Sequence, residues 1–164
     1  MEVVSGIELV PKITAIIFAN SEAAHLTRSL ESLRVCDQVL VIDYKSDDQT
    51  AEIARAYGAT VKDAIPGVDE GAYVIDAGYD WILCLLPSEV LSEPLQAALE
   101  EWKDGDPGAS AGFSLKVRRE GNTGWENGGT EMRLFDRTKI NFKEALPPNI
   151  KSPSLPGELL HFKD

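Results

Sequence analysis

An unbroken apolar run, Val39-Leu-Val-Ile42, gives way at once to the polar stretch Asp43-Tyr-Lys-Ser-Asp-Asp-Gln-Thr50. Val39, Val41 and Ile42 are β-branched, so the run predicts a strand buried on both faces. Ser46 and Gln49 have capping-box spacing and start a helix within a few residues. Strand, short turn and helix N-terminus make half of a βαβ unit. In open α/β sheets ligands bind beyond the carboxyl ends of the strands, which places Asp43 to face one. The same acidic turn also serves simply to cap a helix.

The pattern repeats on both sides of this unit. Ile13-Thr-Ala-Ile-Ile-Phe18 is a first buried strand, and Asn20 or Ser21 caps a helix that places Ala23, Leu26, Leu30 and Leu33 on one face, with His25 and Arg28 off it. The helix after Thr50 turns Ala51, Ala54 and Tyr57 inward and stops at Gly58. Thr60 to Lys62 is a short third strand, Pro66-Gly67 a turn, and Gly71 to Gly78 a brief helix. Trp81 to Leu86 is a fourth strand, followed by a helix capped at Ser92, with Pro94 in its first turn and Leu95, Ala98, Leu99 and Trp102 along its inner face. Such alternation requires a mainly parallel sheet with right-handed crossovers.

Beyond Gly108 the texture changes. Ala111 to Arg119 alternates as a half-exposed strand, and Gly121 to Gly129, rich in glycine and asparagine, predicts a loop. Met132–Phe135 and Ile140–Phe142 read as a hairpin, the prolines from Pro147 to Pro156 as an extended tail, and Leu159–Phe162 as a last edge strand. The expected fold class is α/β, with this β-rich portion fused to the same sheet in one domain spanning 1–164.

A formal charge of −11 argues against nucleic acid or an anionic membrane as partner through a basic face. No run approaches the ~18 apolar residues of a membrane span. Met1–Pro11 has neither the basic start nor the apolar core of a signal peptide, so a cytoplasmic location is expected. Cys36 and Cys84 lie in or beside apolar segments, without metal-ligand spacing, and are expected to be reduced and unpaired.

Several pieces in order, namely Ile13-Thr-Ala-Ile-Ile-Phe-Ala-Asn-Ser-Glu22, Val41-Ile-Asp-Tyr-Lys-Ser-Asp-Asp-Gln-Thr50, Ala51–Ala59, Asp80–Leu85, Met132-Arg-Leu-Phe135 and Leu159-Leu-His161, resemble the family 2 glycosyltransferases. The likeness is closest to the short bacterial branch that modifies lipopolysaccharide cores. It implies a GT-A fold, a Rossmann-like sheet in which residues 12–102 hold a nucleotide-sugar and 109–162 form the acceptor side. By that resemblance Asn20 and Glu22 line the nucleotide base, and Asp43 hydrogen-bonds base or ribose. Ser46 and Asp48 also belong to the nucleotide site, a role compatible with helix capping.

The departures from the family carry as much meaning. Where the family places an Asp-x-Asp motif to hold Mg²⁺ or Mn²⁺ against the donor diphosphate, this chain has Leu86-Pro87-Ser88. A hydrocarbon, a ring and a neutral hydroxyl are poor ligands for a hard cation, so no metal site and no cofactor are expected. Glu89, the acidic residue after the motif, remains and is expected to be exposed. Glu131 lies near the family's general-base position. These two carboxylates are the catalytic candidates, with Lys45 or Arg118 available as a counter-charge. Asp69-Glu-Gly71 replaces basic and amide residues, Pro147–Asn149 replaces a His-Glu pair, and His161 matches a family histidine whose plain reading is a polar edge-strand residue. The expected function is a glycosyltransferase-like domain with weakened or lost catalysis and a binding role toward a nucleotide-sugar or another protein. The alternative is an active inverting enzyme with a metal-independent donor site. A nucleotidyltransferase fits less well, since no glycine- and arginine-rich phosphate loop follows the first strand.

Overall fold

A computed structural model of the chain describes residues 10–19, 23–44 and 48–163; for Ala23, Ala24 and Asp48 it describes the backbone alone. Its elements in order are β1 (Ile13–Ala19), α1 (Ala23–Ser32), β2 (Gln38–Asp43), α2 (Asp48–Ala56), β3 (Thr60–Asp63), a 3-10 helix (Glu70–Asp76), β4 (Trp81–Leu85), β5 (Glu89–Leu91), α3 (Glu93–Lys103), β6 (Gly112–Gly121), β7 (Gly124–Asp136) and β8 (Ser154–His161). The eight strands form one mixed sheet in the order β3-β2-β1-β4-β7-β6-β8-β5.

The first four strands are parallel neighbours, β1 lying between β2 and β4 with β3 outside β2. Alternate residues feed two cores. Ile13, Ala15, Ile17, Val41, Leu83 and Leu85 meet Leu26, Leu30, Ala54, Leu95 and Leu99 of the three α-helices, with Leu33 just beyond α1. Ile16, Phe18, Leu40, Ile42, Ile82 and Cys84 face Tyr73 of the 3-10 helix, Phe135 and Ile140. Gly71 is needed where those covers meet. A Cβ there would lie 2.1 Å from the carbonyl oxygen of Phe142, too close for any other residue without a shift of backbone. Register puts Ala19 opposite Asp43 and Ile17 opposite Leu85, so Asp43 and Leu86 share one edge, as the alternation requires.

Beyond β5 the chain differs from expectation in three places, and the first half differs at Tyr57. Gly124 to Gly129 is strand, because β7 is a long partner of β6 down to a two-residue turn between Gly121 and Gly124. Backbone pairing over that length outweighs a composition poor in strand formers. Ile140–Phe142 forms no strand; Ile140 is buried and Phe142 sets its ring edge against Phe135 at 5.2 Å, so these apolar residues cover the sheet. Leu159–His161 belongs to β8, which is internal, parallel to β6 and antiparallel to β5. Tyr57 is exposed, because α2 ends at Ala56 and Tyr57 already lies in the turn.

The strand order also dictates curvature. β5 stands four places from β4, roughly 19 Å at about 4.8 Å per strand. The link between them is Leu86-Pro87-Ser88 alone, which reaches roughly 14 Å when fully extended. A flat sheet is therefore excluded. The second half curls over and returns β5 to the end of β4. Two serines of α1 finish the outer edge of β5: Ser29 donates its hydroxyl to the Glu89 carbonyl (2.7 Å), and the Ser32 hydroxyl accepts from the Leu91 N–H (3.0 Å). No helix among the described residues is long and apolar enough to cross a membrane.

Candidate functional site

The carboxyl ends of β1, β2 and β4 come together at one edge of the sheet. Asp43 closes β2 there and is buried. Beside it, Tyr44 donates its hydroxyl to Glu70 (3.2 Å), and burial, reinforced by the Glu70 charge, pushes the phenol up to about 12. Tyr44, Ala64, Ile65, Pro66, Val68 and Glu70 line an open cleft of ≈ 260 Å³. Of the other expected nucleotide positions, Asn20, Glu22 and Ser46 lie outside the described residues, as does the side chain of Asp48, which begins α2. Lys45 lies outside them as well.

At the end of β4 the curl has a chemical consequence. Ser88 turns with φ 69°, a left-handed conformation unfavourable for a residue with a Cβ. The Ser88 carbonyl accepts from the Phe162 N–H (2.9 Å), which ties the turn to the end of β8. Glu89 then points inward. It is 0% exposed, not exposed as expected, because β5 is folded back across the sheet.

Its partner is Arg133 on β7, also 0% exposed. Arg133 Nη1 donates to Glu89 Oε1 (2.6 Å) and Nη2 to Oε2 (2.8 Å), a bidentate pair. Nη1 also reaches the Cys84 carbonyl (3.1 Å), and Nε reaches Glu131 Oε1 (3.0 Å). Glu131 in turn accepts from Arg119 (3.1 Å). The two catalytic candidates thus flank one guanidinium. The remaining contacts of Glu89 are the Leu86 N–H on Oε1 (2.7 Å) and His161 Nδ1 on Oε2 (3.1 Å).

Burial alone would raise the Glu89 carboxyl. Hydrogen bonds from Arg133 and His161, the Arg133 charge and the Leu86 N–H together outweigh it, and its pKa falls below the usual range. Arg133 responds in the opposite sense: burial opposes its charge, but Glu89 and Glu131 raise its pKa. Both groups are ionised. A carboxylate offers about four lone-pair directions, and four donors already occupy those of Glu89. It has little left with which to take a substrate proton or hold a cation.

Nor do Leu86, Pro87 and Ser88 fit the divalent ion that the resemblance places beside them, for they contribute no carboxylate. Arg118, the other proposed counter-charge, lies 3.8 Å from Glu158. At the position of the family's His-Glu pair, Asn149 accepts from the Met132 N–H (3.0 Å) and so braces β7. Sequence reasoning missed Arg133 itself. The available signal was a cation flanked by Met132, Leu134 and Phe135 in a strand.

Mannosyl-3-phosphoglycerate synthase from Rubrobacter xylanophilus superposes on this chain with a TM-score of 0.52 at 17% identity, covering 70% of this chain and 42% of the other. The fold is GT-A-like. In sequence, the chain is 35% identical over 96 residues to an uncharacterised glycosyltransferase of Rickettsia bellii, covering 56% of this chain and 33% of that one. A counterpart in Rickettsia felis is 36% identical over 93 residues, with 54% and 33% covered. The GT-A-like chain therefore spans about a third of the length of these curated relatives. No protein-family model matches it.

Proposed function

We propose that this chain is a family 2 glycosyltransferase-like domain of the short lipopolysaccharide-core type. In this reading it binds a nucleotide-sugar in the cytoplasm and has weakened or lost metal-assisted transfer, leaving a binding role toward the nucleotide-sugar or a protein partner. The observation that carries the reading is the state of Glu89. Direct displacement at a sugar needs a base for the acceptor and a counter-charge for the departing diphosphate. Here the carboxylate left from the acidic motif is sealed against Arg133, and Leu86-Pro87-Ser88 stands in place of the metal ligands. Asp43 and the cleft at Tyr44 remain at the edge where a nucleotide would lie.

A second reading, metal-independent inverting transfer, is favoured by one contact. Glu89 holds Nδ1 of His161, whose side chain is 28% exposed, and among the described residues the other ring nitrogen has no hydrogen-bond partner. An imidazole oriented in this way is a proton acceptor for a hydroxyl.

Calorimetry against UDP, GDP and their sugar derivatives, with and without Mn²⁺, combined with a chromatographic assay for nucleoside diphosphate release, separates these readings. Binding that ignores Mn²⁺ and yields no release is the expected result. Metal-free release that disappears in His161→Asn would establish the second reading. Binding that Mn²⁺ enhances, with the enhancement abolished in Glu89→Gln, would overturn the loss of metal-assisted transfer, and no nucleotide binding at all would sink the donor site.

A further inference from the structure

We propose that Trp125, braced by Phe162, forms a stacking platform for a neutral saccharide beside the β4–β5 turn. The choice of ligand class rests on the glycosyltransferase reading; the platform itself rests on topology and surface chemistry. β7 is antiparallel to β4, and β6 is antiparallel to β7 and parallel to β8. The ends of β6 and β8 and the turn between β6 and β7 therefore gather at the edge that carries Leu86–Ser88. The Phe162 N–H to Ser88 carbonyl bond fixes that proximity.

Phe162 is gripped from several sides. Its ring stacks on His25 (5.9 Å between centroids, 21° between planes), lies 4.7 Å from the guanidinium carbon of Arg28, and meets Trp125 edge-to-face at 5.2 Å. These contacts fasten the hairpin to α1 and hold the indole in place. Trp125 nonetheless keeps 39% of its surface exposed. The other two tryptophans behave differently: Trp81 and Trp102 pack edge-to-face at 4.9 Å against the helical core. The exposed part of the indole stands in water on a hairpin of polar residues.

The rim selects the ligand. Arg28 and Lys163 contribute positive charge, Glu120, opposite Trp125 in the β6–β7 ladder, a negative charge, and Asn122 an amide; Lys163 Nζ bonds Asn122, and the Lys163 N–H donates to Glu120 (3.0 Å). A phosphate would meet the Glu120 carboxylate, with Arg28 already engaged on the Phe162 ring and Lys163 on Asn122. A pyranose has an apolar C–H face for the indole and hydroxyls that both donate and accept, which a rim of both signs can satisfy.

The test is saturation-transfer NMR with methyl glycosides of glucose, mannose, galactose and N-acetylglucosamine, with UMP and AMP as controls. At least one glycoside should receive saturation on its ring protons, bind at least about fivefold more weakly to Trp125→Ala, within the range an aromatic contact supplies, and retain affinity in Trp125→Phe. Unchanged melting temperatures keep a folding defect from imitating the result. Absence of transfer to every glycoside, equal binding by Trp125→Ala, or preference for the nucleotide at this position would each overturn the proposal. Loss of the platform would leave nucleotide calorimetry at Asp43 unaltered, so failure here and failure of the donor-site reading are separately visible.

Discussion

Arg133 and Glu89 neutralise one another without water, and that makes either one hazardous to remove. In Arg133→Met the buried carboxylate loses its countercharge, and urea unfolding at neutral pH should show a loss of about 3–5 kcal/mol. Replacing both partners, as Glu89→Leu with Arg133→Met, should recover most of it, since apolar packing of similar volume is often no worse than a buried pair. The pH dependence has a sign. The native pKa of Glu89 lies below its unfolded value of about 4.3. Its contribution is therefore complete above that value and is lost as pH falls through the native pKa. Arg133→Met should reverse this slope, because an unpaired buried carboxyl titrates high and its penalty fades on acidification. A further expectation concerns His161. An ionised Glu89 can only accept, so the neutral imidazole carries its proton on Nδ1; ¹⁵N shifts showing the Nε2–H form would refute it. Neither partner of Glu89 was legible from its neighbours in sequence. Arg133 lies 44 positions away and His161 72, and burial was created by a curl that local composition does not encode.

Among the elements, legibility followed the source of stability. β1, β2 and β4 are buried on both faces and announce themselves as apolar runs. α3 begins where cap chemistry says it should: Ser92 accepts from the Leu95 N–H (3.3 Å) with Pro94 in the first turn. The same hydroxyl also accepts from the Glu158 N–H (3.0 Å), joining helix cap to β8. Ser92→Ala should therefore cost about 1–2 kcal/mol, the upper part of the capping range, measured by chemical denaturation. A loss near zero would show that water replaces both bonds. β5 and the outer part of β7 were invisible beforehand for a shared reason. Three residues, or a run of glycine and asparagine, become strand only through a partner, and partners are chosen by topology.

For the molecule as a whole, the carboxylate-free stretch Leu86-Pro87-Ser88 and the free cysteines make joint predictions. Millimolar Mn²⁺ should leave the melting temperature unchanged, since an ion without a native site shifts no folding equilibrium; a rise of several degrees would contradict the reading of Leu86-Pro87-Ser88. Cys36 and Cys84 are free thiols, both pushed up to about 12 chiefly by burial. Alkylation without reductant should therefore be slow on the native protein and reach two thiols on unfolding. The β4–β5 link carries a kinetic consequence as well. Among the described residues β5 has a single strand partner, β8, and the contact between Glu89 and His161 closes a separation of 72 residues. Chain closure of that span precedes any reward from pairing. A nascent chain can therefore assemble β1 to β4 early, but the turn at Ser88 waits for β8. The edge that carries Asp43 and Ser88 is complete only once that distant strand has been made.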